Sequence, residues 1–485
     1  MVFRENTTAE KSGPTVLIVG AGTGGLMLGL LCEKGNIPYQ IFEKSKALRP
    51  LGSAIALNKV NYLFEQVGIM EEVEAYSKSF GGLHLLDQDL NCQGSFYARA
   101  PGVSQKEAYG YASPVMARPD LIRILASRIP KEKLHYNKRV IASHQDDTQV
   151  TITCEDDTTY SGTILVGTDG AYSSIRQHMF KELEAVGLMH TSDAEPMQSD
   201  YDCVVGVTGA MDTEKYPVLK EELCEFKIVM GKTLPMTWWF MPVIDPELGP
   251  RVGWMITKDN NAWNKMNKGN SSSKDDNKTQ GSSSDWSANA AKEMCDLVKD
   301  MPCPLGGVVG DIFDKTPKEQ ITKVVLEDKL YHNWYHGRTV LLGDACHKML
   351  PFGGMGASMA IMSAVALANI LYEDLPTTQA EVTKAFKEYY DERVGWGQQS
   401  VDGSRKTAYL MHKQGFVGDM IRRIGFNYIP NWLLKKGTDA YNEYRPHIVF
   451  LPFTTFTGTY QSGRTNTPSK RWLASQNQTT AAVAL

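Results

Sequence analysis

Thr15-Val16-Leu17-Ile18-Val19-Gly20-Ala21-Gly22-Thr23-Gly24-Gly25 is the stretch that decides the fold. Its first five residues are a β-branched apolar run of the kind that fills a strand buried on both faces. Gly20-x-Gly22-x-x-Gly25 follows at once, and residues 26–34 continue as a compact helical pattern closed by Gly35. Residues 39–42, Tyr-Gln-Ile-Phe, form a second short strand with Glu43 at its carboxyl end. The pattern is a βαβ unit built for a dinucleotide. Gly20 permits the tight turn, Gly22 lets a pyrophosphate approach the backbone, and Gly25 lets helix and strand pack closely. The helix start offers unpaired N–H groups to phosphates. Glu43, 21 positions beyond Gly22, is placed to accept the hydroxyls of an adenosine ribose. Its charge would repel a 2′-phosphate, so FAD and NAD(H) both stay open on this unit alone.

Outward from this unit, residues 58–67 and 118–129 have amphipathic helical spacing, and residues 82–98 alternate as strands about Asp87-Gln88-Asp89. Further strand-like runs fill 140–166. Residues 203–207, 226–230, 237–241 and 252–256 predict a second, largely antiparallel sheet. Residues 339–342 are another buried strand, followed by an apolar helix over 355–372 and a helical stretch over 379–412; Pro430, Pro446 and Pro452 interrupt what remains. The expected fold class is α/β: a Rossmann-type dinucleotide-binding domain with an interleaved, mostly antiparallel β-sheet substrate domain and a helical C-terminal region. The expected boundaries are 1–14 as a disordered lead-in, 15–80, 110–180 and 325–375 as the discontinuous dinucleotide-binding domain, 81–109 and 181–324 as the substrate domain, and 376–485 as the helical or mixed C-terminal region. Residues 267–285 contain no apolar side chain, cannot repay ordering by burial, and are expected to be a disordered insertion.

Composition narrows the class. Of 485 residues, 42% are hydrophobic and 22% charged, which suffices for a sizeable core, and the formal net charge of −4 offers nothing to nucleic acid. The eight cysteines contain no CxxC pair, so neither a disulfide scaffold nor a zinc site is expected, and no metal. The polar N-terminus lacks the apolar core of a secretory signal, and no run reaches the roughly 18 apolar residues of a membrane span. A soluble, cytoplasmic protein is expected, with peripheral membrane association left open.

Two later segments decide between the dinucleotides. One is Gly167-Thr168-Asp169-Gly170-Ala171-Tyr172-Ser173-Ser174-Ile175-Arg176; the other is Gly343-Asp344-Ala345-Cys346-His347, running on through Pro351-Phe352-Gly353-Gly354-Met355-Gly356. With the amino-terminal glycines, their order and spacing resemble the aromatic-hydroxylase family of FAD monooxygenases, also called class A or para-hydroxybenzoate-hydroxylase-like, over residues 15 to about 400. The resemblance implies FAD as cofactor and makes the discontinuous dinucleotide-binding domain an FAD-binding domain. It assigns the pyrophosphate to Gly20, Gly22 and Gly25, the ribose to Glu43, and the phosphates or ribityl chain to Arg118. Asp169 would serve FAD and nicotinamide binding, Arg176 would steady its loop, and Asp344 would bond the ribityl hydroxyls. Gly354 to Ala357 would run beside the isoalloxazine, with Ala56 a backbone contact from the loop 52–57; His347 would act indirectly. Where family members often carry Asn and then Glu-Asp, this chain has Ser358, Met362 and Ser363, so a somewhat different hold on the flavin is expected. The segments Tyr428-Ile429-Pro430, Arg445-Pro446 and Phe450-Leu451-Pro452 are similar to fungal FAD monooxygenases of secondary metabolism, some of which epoxidise prenyl chains while others hydroxylate phenols.

The implied chemistry is reduction of FAD by NADPH or NADH, reaction with O₂ to a C4a-hydroperoxyflavin, and oxygenation of a small aromatic or prenylated substrate by hydroxylation or epoxidation. Tyr201, Trp238, Trp239, Phe240 and Trp254 are the candidate pocket residues; strand alternation sets Trp239 on the opposite face from Trp238 and Phe240. Tyr201 is the candidate catalytic group should a phenol need deprotonation. The alternatives are a non-oxygenating flavin dehydrogenase or reductase and a non-catalytic FAD-binding protein.

Overall fold

The computed structural model describes residues 13–97, 106–107, 110–268, 288–413, 415–428, 436, 444–455, 458–459 and 464–483. The expected lead-in thus lies outside the described residues except for Gly13 and Pro14. The same holds for the insertion except Asn267 and Lys268, which end a helix, Asn260–Lys268. Ile429 and Pro430 are also outside.

Val16–Val19 is the centre of a six-stranded sheet in the order Tyr335–His336, Thr339–Leu341, Ile164–Gly167, Val16–Val19, Tyr39–Phe42, Leu134–His135. All neighbours are parallel except the first pair. The four residues of Val16–Val19 are buried, as a parallel strand covered on both faces must be. Two helices pack together above it, Thr23–Lys34 and Gly356–Asp374. Small residues permit the approach: a Cβ on Gly24 would stand 2.6 Å from Leu342 Cδ2 and 3.4 Å from Ala360 Cβ.

Gly356–Asp374 is 19 residues long, against the shorter apolar run visible in the sequence, and is long and apolar enough to cross a membrane. Here it is a core helix, 78% of its most apolar window being buried between Thr23–Lys34 and the 34-residue helix Gln379–His412. The capping box of Thr378 and Glu381 fixes where that long helix starts.

The second sheet has ten strands and is mixed. Most neighbours are antiparallel, but Leu223–Met230 runs parallel to Ser77–Asp87. Alternation splits its side chains as expected. Leu85, Ile228, Trp239, Met241 and Met255 occupy one face, while Trp238, Phe240, Val229 and Trp254 meet the helices Ala288–Asp296 and Val309–Asp314 on the other.

Two contacts fix the strand Gly249–Asp259 of this sheet against its neighbours. Gly253 lies so close to Ala54 that a Cβ would come within 2.6 Å of it. Arg251 bonds Asp120, in the first turn of the helix Arg118–Ala126, and lies 3.3 Å from Asp245 Oδ2. Burial pushes the Asp120 carboxyl up and Arg251 pulls it back. Removing the cation leaves two buried carboxylates unpaired. Arg251→Met is therefore expected to lose about 3–5 kcal/mol of stability, measured as an earlier urea unfolding midpoint.

Candidate active site

The pairing register brings together motifs more than 140 residues apart. Val19 lies opposite Gly167, and Gly167 opposite Leu341, so all three glycine-rich turns leave the same edge of one parallel sheet. This is where open α/β sheets bind ligands. Gly20 has φ +109°, and a Cβ there would meet the Thr168 carbonyl oxygen at 2.6 Å. Thr168 Oγ1 donates to the carbonyls of Gly20 (2.7 Å) and Val19 (2.9 Å), sewing the first turn to the second. A Cβ on Gly25 would stand 2.0 Å from the Gly20 carbonyl oxygen, so only glycine closes the helix onto the strand. Gly22 is the opposite case: a Cβ would meet nothing within 4 Å, and the residue borders a cavity. Glu43 accepts the Ala21 N–H (3.0 Å) with one oxygen and the Ser45 N–H (2.8 Å) with the other, bracing the glycine turn from the second strand.

In the second motif, Asp169 faces its own loop. One oxygen accepts the N–H groups of Ser174 (2.7 Å) and Ile175 (3.3 Å), and the other accepts the Ser173 hydroxyl. It thereby satisfies free donors at the start of the helix Ser174–Ala185. Arg176 is buried, donating to the Ala171 carbonyl at 2.7 Å and the Ala345 carbonyl at 2.9 Å, with its guanidinium 4.2 Å over the Tyr331 ring. It ties the second motif to the third.

In the third motif, Asp344, Lys348 and Arg118 are the charged residues among those described that line the cavity. Lys348 Nζ lies 2.7 Å from Asp344 Oδ2. Burial pushes the Asp344 carboxyl up, but Lys348, with Arg118 nearby, holds it below its ordinary range. Arg118 donates to the Leu51 carbonyl at 3.0 Å and packs its stem beside Gly52, whose φ is +118°. Gly354, at φ +61°, turns the chain into the helix Gly356–Asp374, and Ala357 in its first turn faces the cavity. Across from it run Ser53 and Ala56; the Ser53 hydroxyl has no partner in the protein. His347 is buried against Ser363 Oγ (3.1 Å) and does not line the cavity; burial and Arg393 push it down to about 4, so it is neutral. Ser358 and Ser363 are buried, the latter between His347 and Arg393.

The cavity measures about 700 Å³ and continues from these turns across the inner face of the ten-stranded sheet. Its far wall is made by Phe80, Leu83, Phe226, Trp239, Met241 and Leu326, closed by Leu410 and Met411 from the long helix. Of the aromatic candidates, Trp239 faces the cavity, whereas Trp238, Phe240 and Trp254 lie in the core behind the sheet. Tyr201 is not among the lining residues; its ring packs on Phe352 (5.6 Å) and His412 (4.6 Å), one layer back. Of the cofactor candidates, Gly22, Ala56, Arg118, Asp344, Gly354 and Ala357 border the cavity, while Gly20, Gly25, Glu43 and Asp169 shape the loops behind them. Lys348, four residues after Asp344, and the partnerless Ser53 escaped the sequence reading, although the i, i+4 spacing was visible.

An open glycine turn, a cationic pair at the neck, an unpartnered hydroxyl and a helix N-terminus aimed at one cavity fit FAD, whose diphosphate and ribityl chain need such groups. Comparison with known proteins gives the same class. Residues 14–202 and 308–404 match the model of the FAD binding domain family, more than half of the chain. The chain belongs to that family, and within it is a class A FAD-dependent monooxygenase, acting with FAD and O₂ on a small organic substrate. It is 26% identical to the FAD-dependent monooxygenase esdpE of Penicillium shearii, over 86% of this chain and 81% of that protein. Against the FAD-dependent monooxygenase ausM of Penicillium brasilianum it is 25% identical over 97% and 94%. The fold is similar to that of Klebsiella pneumoniae HpxO complexed with FAD and uric acid, with TM-score 0.66, 17% identity, and 87% and 95% of the two chains covered. It is also similar to CtdE in complex with FAD and a substrate, with TM-score 0.63, 16% identity and coverage of 89% and 97%.

Because Arg176 holds the second and third motifs together through two buried carbonyls, Arg176→Met is expected to cost about 2–3 kcal/mol. It should also release flavin more readily than the native chain, followed by thermal melting and by absorbance retained after gel filtration.

Proposed function

We propose that the chain uses NADPH or NADH as electron donor to oxygenate an uncharged, apolar substrate carrying an electron-rich double bond, with epoxidation of a prenyl chain as the favoured reaction. The observation that carries this reading is the wall of the cavity. Beyond Arg118, Asp344 and Lys348 at the neck, the described lining residues carry no charge, and aromatic, leucine and methionine side chains dominate the far half. Such a surface gains about 25 cal/mol for each Å² of apolar substrate it covers, and gives a charged substrate no partner. Hydroxylation of a phenol calls for a base at its oxygen, whereas oxygen transfer to an alkene calls for none. The apolar far wall therefore favours the alkene. Tyr201, behind Phe352, is suited to hold that ring in place rather than to move a proton.

When bound, FAD supplies the redox chemistry, taking electrons from the nicotinamide and passing oxygen to the substrate. The protein binds, orients and excludes water. Gly20, Gly22 and Gly25 form the turn against which the pyrophosphate rests, with Arg118 countering its charge. Glu43, braced by Ala21 and Ser45, presents a carboxylate edge to the ribose, and Asp344, its charge held by Lys348, receives the ribityl hydroxyls. Gly354, Ala357 and the helix start behind them offer N–H groups to negative charge on the reduced ring, with Ala56 opposite. Asp169 keeps the central loop in shape. On this reading residues 15–80, 110–180 and 325–375 hold the cofactor, 81–109 and 181–324 hold the substrate, and 376–485 close the cavity; the cytoplasm supplies the nicotinamide.

The test is to purify the protein, record its visible spectrum, and follow NADPH and NADH oxidation under air with prenylated and unprenylated phenols and indoles. Substrate-dependent oxidation with a product one oxygen heavier, from prenylated compounds only, is the expected result. Turnover of unprenylated phenols alone would move the assignment to hydroxylation, and a protein that takes up no FAD would remove the reading.

The two glycines of the first turn give a sharper check. Gly25→Ala should disrupt folding, since its methyl group collides with backbone. Gly22→Ala should melt like the native apoprotein yet bind FAD roughly tenfold or more weakly, because its methyl group enters only the cavity. Thermal melting with and without FAD distinguishes them.

A further inference from the structure

A single chain of buried hydrogen bonds runs from the cavity wall into the core. The Trp239 indole N–H donates to Thr237 Oγ1 (2.8 Å), which is 2.6 Å from Thr257 Oγ1 on the paired strand; Thr257 Oγ1 is 2.8 Å from His412 Nε2. His412 Nδ1 lies 3.0 Å from the Ala408 carbonyl, one turn earlier in the long helix. Both ends fix the direction. An indole N–H only donates and a carbonyl only accepts, so Nδ1 carries the imidazole proton, Nε2 accepts from Thr257, Thr257 accepts from Thr237, and Thr237 accepts from Trp239. Every donor is used once. A proton on Nε2 would leave Thr237 with no acceptor, which accords with a ring that burial pushes down to about 4. All four side chains are buried.

The same imidazole touches the cofactor side. Phe352, from the turn that leads to Gly354, packs edge-on against His412 at 5.1 Å, beside Tyr201, and stands 5.9 Å from Trp239. Trp239 and Phe352 are both cavity residues, one from each half of the site. Its hydrogen bond to Thr237 and its contact with the Phe352 ring hold the Trp239 indole in one orientation.

We propose that Trp239 is a specificity-determining residue which sets how the substrate lies against the flavin end of the cavity, and that Thr237, Thr257 and His412 are its positioning residues. The proposal rests on the reading that the apolar half of the cavity takes the substrate. The indole presents a fixed flat face because its polar edge is satisfied inside the protein, leaving only carbon to the ligand. Thr257→Val is the discriminating change, since it keeps the side-chain shape and removes the hydroxyl that passes the chain to His412; Thr257→Ser keeps the hydroxyl.

The experiment uses the FAD-loaded protein with ¹⁵N-labelled tryptophan, the Trp239 signal being identified by its loss in Trp239→Phe, and farnesol as an apolar prenyl probe. In the native protein, farnesol should shift the Trp239 indole signal saturably. Thr257→Val should move that signal before any probe is added and weaken farnesol binding roughly tenfold, while Thr257→Ser behaves as native. His412→Phe, which keeps a ring against Phe352 and Tyr201 but removes the acceptor, is the second breaking variant should Thr257→Val not fold. A Trp239 signal that ignores farnesol, or breaking variants that bind farnesol as the native protein does, would overturn the proposal. Failure of the underlying flavin reading shows separately, as a protein without flavin absorbance.

Discussion

The structure depends on the parallel pairing of three short strands, Val16–Val19, Ile164–Gly167 and Thr339–Leu341. Each is only three or four residues long, and each ends in a turn that carries chemistry. The ladder hydrogen bonds fix their register, and a slip of one residue would misalign Gly20, Thr168 and Gly343. What locks the register locally is close backbone packing: the Thr168 hydroxyl on two carbonyls and the absence of a Cβ at Gly25. Arg176 then clamps the middle turn to the one after Thr339–Leu341. The cavity is a by-product of that alignment, for it lies where three chain reversals leave room.

Most of this frame was legible in the sequence because it rests on short-range rules. A β-branched run followed by Gly20-x-Gly22-x-x-Gly25 admits few other structures, and alternation correctly separated Trp239 from Trp238 and Phe240. The choice of which of those faces meets the cavity was not legible, because it depends on how two sheets dock. The long-range contacts that seat the ten-stranded sheet, Gly253 against Ala54 and Arg251 between Asp120 and Asp245, pair residues that are more than 130 positions apart or sit in an unremarkable hairpin. Tyr201 illustrates the same limit: a buried tyrosine on the right strand of the right sheet, yet one layer too deep. Lys348 was missed for a different reason. A lone lysine near an aspartate is common on helix surfaces, and only the cavity singles it out.

Polarity in the site is segregated. The described charges at the cavity stand at its neck, where they compensate one another in part, and the polar edges of the far wall are turned away into the core. In a low-dielectric space that arrangement matters, since an unpaired donor or charge in the wall would bind water where the chemistry requires its exclusion. The departures from the family pattern at Ser358, Met362 and Ser363 fit the same economy. Ser363 stands beside a neutral His347, and the buried Arg393 takes it as a partner where a carboxylate is absent from that position.

The core helix Gly356–Asp374 has a consequence for how the protein is made. As it leaves the ribosome it has the length and apolarity by which a membrane-insertion machinery selects its clients. Docking against Thr23–Lys34, synthesised more than 300 residues earlier, and against Gln379–His412 buries it. The amino-terminal βαβ unit therefore supplies one of the two surfaces that cover a later apolar segment of its own chain.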